Sequence, residues 1–129
     1  MNSETLIHRQ VHPSLVVKED VSSKVFEIAS SVFTPTKNDE KKLSVYNGDK
    51  FSPKEAFDHF IKSRPSSGSL SLSIKECEDI ELGVSEDNNP FDGHSHIDFS
   101  GCESNNKIKR KAKTLKYMAV KRGWTFRRN

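Results

Sequence analysis

Residues 51–74, FSPKEAFDHFIKSRPSSGSLSLSI, decide the fold, because a helix signal and a strand signal stand there a few residues apart. Ser52, Pro53 and Glu55 spell a capping box with proline at the first helical position, and Ala56, Phe57, Phe60 and Ile61 then share one face of the helix that follows. That helix is expected to stop near Arg64, since Pro65-Ser66-Ser67-Gly68 breaks it. Leu70, Leu72 and Ile74 next alternate with Ser69, Ser71 and Ser73, the two-residue period of a half-buried strand with a hydroxyl-lined outer face.

Working outward, Leu6 to Val17 reads as one strand, because Pro13 disfavours helix at His12 and Leu15, Val16 and Val17 favour extension. Val25 to Phe33 fits a strand or a short helix, and Thr34 to Lys42, with Pro35 and Asn38, is a loop. Leu43 to Tyr46 is a strand closed by the turn Asn47-Gly48. Downstream, Ser73 and Glu76 cap a helical turn or two through Cys77 and Ile80, stopped by Gly83. Ser85 to Gly93 reads as an acidic loop, and His94 to Phe99 as a short strand with Ile97 and Phe99 inward. Ile108, Ala112, Leu115 and Ala119 form the apolar stripe of a helix over Lys107 to Arg122, with Gly123 as its C-cap. The expectation is a single compact α+β domain over residues 1–129, with a small mixed or antiparallel sheet, a central helix and a basic C-terminal helix. Phe57, Phe60, Leu72, Ile97, Phe99, Leu115 and Trp124 are the expected core.

Charge is unevenly placed. Residues 107–129 carry ten Lys or Arg and no Asp or Glu, whereas residues 1–106 hold 11 basic against 18 acidic groups. Such asymmetry points to a polyanionic partner, or to a cationic helix resting on its own acidic body. No apolar run approaches the roughly 18 residues of a membrane span, and no signal-like segment opens the chain, so no membrane association and a cytoplasmic location are expected. Cys77 and Cys102 then read as idle thiols.

Few residues carry a chemical signature. His94, His96 and Asp98 project from one face of their strand, the material of a general acid or base, and His12 beside Pro13 is a further candidate. The same side chains also suit a solvated strand face with no chemical role. No Gly-rich phosphate loop, Cys-x-x-Cys, His-Glu-x-x-His or Gly-x-Ser-x-Gly occurs, and no residue is assigned to a metal or cofactor. Ser30, Ser31 and Ser44 lack any nucleophile context in the sequence and read as turn and strand hydroxyls.

Arg9-Gln10-Val11-His12-Pro13, Ser30 to Pro35, Leu43 to Tyr46, Asn89-Pro90 with His94 to Ile97, and Arg122-Gly123-Trp124 together resemble a widespread group of small bacterial proteins that carries no assigned activity. The resemblance spans most of the chain and implies a bacterial cytoplasmic protein of one compact domain. Where that group has Asn-Pro-x-His, this chain has extra residues between Pro90 and His94, which makes His96 the alternative to His94.

The leading functional expectation is an accessory or interaction protein whose Lys109, Arg110, Lys113, Lys116 and Lys121 contact nucleic acid or an acidic protein partner. The alternative is a small enzyme acting on a nucleotide or phosphate-containing substrate through His12, His94, His96 and Asp98. An antitoxin-like or immunity partner, in a defence or toxin-antitoxin context, is the third.

Overall fold

The computed structural model describes residues 1–19, 26–36 and 40–128; Val25 and Asn38 of the sequence reading lie outside the described residues. In chain order the elements are β1 (Leu6–Gln10), β2 (Val16–Glu19), β3 (Phe26–Ile28), β4 (Lys42–Asn47), α1 (Pro53–Phe60), β5 (Gly68–Ser73), α2 (Ile74–Glu78), β6 (Gly83–Glu86), β7 (His94–Asp98), α3 (Asn105–Arg122) and β8 (Phe126–Arg127). Six strands form one sheet in the order β6-β7-β4-β1-β5-β8, and every neighbouring pair is antiparallel. β2 and β3 form a separate two-stranded ribbon. The chain is thus a single compact α+β domain.

The sheet has one apolar and one polar face. Ile7, Leu43, Val45, Leu70, Leu72, Ile97 and Phe99 point to the apolar face, where the α3 stripe Ile108, Ala112, Leu115 and Ala119 covers them. Register makes this possible: Ile7 pairs with Leu72 and Leu43 with Ile97, so apolar side chains of adjacent strands align on one side. α3 ends where the sequence places its end, at Gly123 with φ of 88°, a conformation that glycine adopts without strain. Trp124 then stacks on Phe26, ring centroids 4.8 Å apart.

On the polar face α1 lies against β1 and β5, burying Ala56 and Phe57. Both bonds of its capping box form, Glu55 N to Ser52 Oγ at 3.1 Å and Ser52 N to Glu55 Oε1 at 3.0 Å. The serine face of β5 is therefore not an outer face: Ser69 and Ser71 are wholly buried. Their hydroxyls escape the penalty of burial by bonding. Ser69 Oγ donates to Pro53 O at 2.8 Å and accepts from Gln10 Nε2 at 2.6 Å, and Gln10 Oε1 accepts from Ser66 Oγ at 2.9 Å. Ser71 Oγ stands 2.7 Å from both His8 Nδ1 and Thr125 Oγ1.

Other local expectations also need correction. Leu6 to Val17 is two strands, because His12 caps a 3-10 turn over Pro13–Leu15 and turns the chain. Gly83 opens β6 instead of closing α2; the left-handed residue after α2 is Glu81, with φ of 62°. β6 is an edge strand with little apolar alternation, so its serine and acidic residues read as loop. α1 ends at Phe60, four residues short of Arg64, and Phe60 is only half-buried, as is Trp124.

Leu115 has no exposed surface, so Leu115→Ala should cost about 2 to 5 kcal/mol in urea unfolding. Phe60→Ala, at a partly open position, should cost clearly less in the same measurement.

Candidate functional site

The β1–β4 ladder pairs Ile7 with Asn47 and His8 with Tyr46, and stops. β1 nevertheless stays paired with β5 to Gln10, and β4 stays paired with β7 to Lys42. The two halves of the sheet therefore part beyond His8 and Tyr46. A carbonyl released from a ladder needs another donor. Arg9 supplies it, donating from Nη1 to Ser44 O at 2.8 Å and from Nε to Val32 O at 2.8 Å.

The parting opens a cavity of about 360 Å³, whose walls include Arg9, Ser44, Tyr46, His59, Phe91 and His94. That volume lies at the lower end of small-ligand sites, roughly 300 to 1,000 Å³. Among its lining residues none is acidic, and Arg64 adds a second arginine. α1 places His59 over Tyr46, and Phe91 of the loop before β7 lies 4.4 Å from the His59 ring centroid. Gly93 lets that loop close tightly, since φ is 97° and a Cβ would stand 2.5 Å from the Phe51 ring.

Carbonyl contacts fix the proton on two of the imidazoles. His94 Nδ1 lies 2.9 Å from the Asp87 carbonyl, which can only accept, so Nδ1 holds the proton and Nε2 accepts from Ser44 Oγ at 3.1 Å. Asp87 Oδ2 lies 3.9 Å from the same Nδ1. Burial pushes the Tyr46 phenol up to about 12, so it stays protonated, and its oxygen lies 2.8 Å from His59 Nδ1. Where the phenol is the donor, the His59 proton is on Nε2, which has no protein partner among the described residues. His8 is different: Nε2 donates to Phe51 O at 3.0 Å and Nδ1 is held by Ser71, so both nitrogens are committed to the fold. Cys77 offers no nucleophile, because burial pushes its thiol up to about 12.

Of the four residues singled out in the sequence, only His94 lines this cavity. His96 stands one pleat along β7, its Nδ1 buried without a hydrogen bond and 4.0 Å from Asp87 Oδ2. Asp98 caps the following turn, and its hydrogen bond from Ser100 N, at 2.8 Å, holds its carboxyl below the usual range. His12 is exposed and remote from these residues in its bonding, with Nδ1 accepting from Ser14 N at 3.0 Å. Ser44, which has no nucleophile context in the sequence, acquires one from His94. Tyr46, His59 and Asp87 also enter the site without a sequence signal, since only strand register and the packing of α1 bring them together.

The cationic helix forms a second candidate surface. At 100° per residue, Lys109, Arg110, Lys113, Lys116 and Lys121 fall within about 140° of arc, facing away from the buried stripe. Lys107 pairs with Glu103 at 3.2 Å and Arg122 with Glu76 at 2.7 Å, whereas none of those five has an ion-pair partner among the described residues. Tyr117 stands among them, 67% exposed. Beside it a groove of about 340 Å³ is lined by Phe26, Glu27, Ser30, Lys113, Lys116, Tyr117 and Val120.

No protein-family model, curated protein or solved structure matches this chain. Among the described residues, no group of three or more His, Cys, Asp or Glu is placed to hold a metal ion, and no helix is long and apolar enough to cross a membrane.

Burial holds the His8 imidazole below its ordinary pKa of 6.5, with the Phe51 carbonyl opposing in part. The unfolded chain therefore takes up a proton as pH falls through 6.5 while the folded chain does not, and stability should drop below that point by up to about 1.4 kcal/mol per pH unit, levelling off once the folded imidazole titrates. Urea unfolding at several pH values should show this slope, reduced in His8→Gln.

Proposed function

We propose that the chain is a nucleic-acid-binding protein that holds a single strand along the outer face of α3. The observation that carries the reading is that five cations of this face lack ion-pair partners among the described residues although the rest of the chain is acidic. Left unpaired, they repel one another along the helix, a cost offset by the buried stripe. From Lys109 to Lys121 the face runs about 18 Å, long enough to meet several phosphates.

An exposed aromatic among cations favours single strands over duplex. Tyr117 and the neighbouring groove offer a stacking surface for unpaired bases, with Lys113 and Lys116 placed for the adjoining phosphates. An acidic protein would use the same charges but has no need of an exposed ring.

Fluorescence anisotropy with a labelled single-stranded oligonucleotide tests this. Five phosphate contacts give a slope of log affinity on log salt near −3.5, about −0.7 per contact, and replacing Lys109, Lys113 and Lys116 by Gln should reduce it by about two. Tyr117→Ala should weaken single-strand binding by about 1 to 3 kcal/mol. Absence of binding by the native chain at low salt would rule nucleic acid out and leave an acidic protein as the occupant of this face.

A further inference from the structure

We propose that Ser44, His94 and Asp87 form a serine-nucleophile relay that hydrolyses small carboxylic esters in the cavity between β1 and β4. Three observations combine. Ser44 Oγ donates to His94 Nε2 at 3.1 Å, and His94 Nδ1 is anchored on the Asp87 carbonyl at 2.9 Å with the Asp87 carboxylate at 3.9 Å. This is the order nucleophile, base, orienting group, with the base in the tautomer that can receive the serine proton. Both Ser44 and His94 face a cavity of about 360 Å³. His59 also lines that cavity, and in the tautomer where the Tyr46 phenol donates to its Nδ1, its Nε2–H is a neutral donor for an oxyanion.

The reaction balances with water as co-reactant. Ser44 Oγ attacks the ester carbonyl carbon as its proton passes to His94 Nε2, and the carbonyl oxygen becomes an anion that His59 Nε2–H stabilises. The carbon–alkoxy bond breaks and His94 returns the proton to the departing alcohol. Water then attacks the acyl-serine, giving its proton to His94, and the Ser44 Oγ–acyl bond breaks to release the acid, with His94 reprotonating Ser44. The backbone of Asp87 and the phenol of Tyr46 act as positioning groups. Phe60 and Phe91 supply apolar wall, Arg64 is exposed beside them, and the wall has no carboxylate, so the substrate's free substituent is anionic or neutral, not cationic.

The test uses the full chain and a fluorophosphonate probe, whose phosphorus bonds to the nucleophilic oxygen as fluoride leaves. Mass spectrometry should find the adduct on Ser44, and His94→Gln should slow labelling about 100-fold or more. With 4-nitrophenyl acetate, Ser44→Ala and His94→Gln should each lower kcat/KM by about 100-fold or more, and His59→Phe should lower kcat by about 100-fold or more. A 4-nitrophenyl ester bearing a carboxylate should be turned over faster than one bearing a trimethylammonium group. No Ser44 adduct in the native chain, or ester turnover in Ser44→Ala equal to native, overturns the proposal. Because labelling is read on the native chain, a variant that fails to fold does not protect the idea.

Discussion

The parting of β1 from β4 is the constraint on which the rest of the molecule turns. An antiparallel ladder that ends early leaves backbone groups without partners, and each buried one costs about 1 to 3 kcal/mol. Arg9 makes the break tolerable by bonding Ser44 O and Val32 O from a side chain planar enough to reach two carbonyls at once. The strands can then separate without an orphaned carbonyl at Ser44. What results is a concave wall in the middle of a sheet, a place where continuous pairing would leave none.

A second device keeps the opening from spreading. His8, Gln10, Ser66, Ser69, Ser71 and Thr125 lie in a connected polar layer between the sheet and α1. Such a layer is directional, so it holds β1, β5 and the C-terminal segment in a single register where an apolar layer would permit sliding. It also explains why the serine alternation of β5 misleads. The period of two is correct, but serine on the second face says only that the face is polar, and α1 covers it.

Legibility follows the range of the interaction. Capping boxes at Ser52 and Ser73, the α3 stripe, the C-cap at Gly123 and the alternation of His94 to Phe99 depend on residues a few positions apart, and the sequence shows each of them. β6 escapes because an edge strand needs one buried side chain at most, and the two-residue rhythm is too weak to read. The site escapes for a different reason. Ser44 and His94 are 50 residues apart, Tyr46 and His59 stand on different elements, and Asp87 sits in a loop, so only the β4–β7 register and the seating of α1 join them. His94, His96 and Asp98 do share a strand face as their spacing implies, yet a shared face is not a shared cavity: the wall takes in His94 and leaves the other two outside.

The two candidate surfaces lie on opposite sides of the sheet, and their connection is narrow. Arg122, at the end of α3, bonds Ser71 O at 2.8 Å and Glu76 at 2.7 Å, so this cation belongs to the fold. Through Ser71 it touches the layer that holds His8, which is itself part of the cavity wall. The cations from Lys109 to Lys121 have no such bond. Removing their charge changes the field over the outer face while leaving the polar layer intact, and distant sites without shared partners behave additively. Changes at Ser44 or His94 leave the α3 stripe equally untouched. Loss of Arg122 would reach both surfaces, because its bonds span from the end of α3 to the layer beneath the cavity.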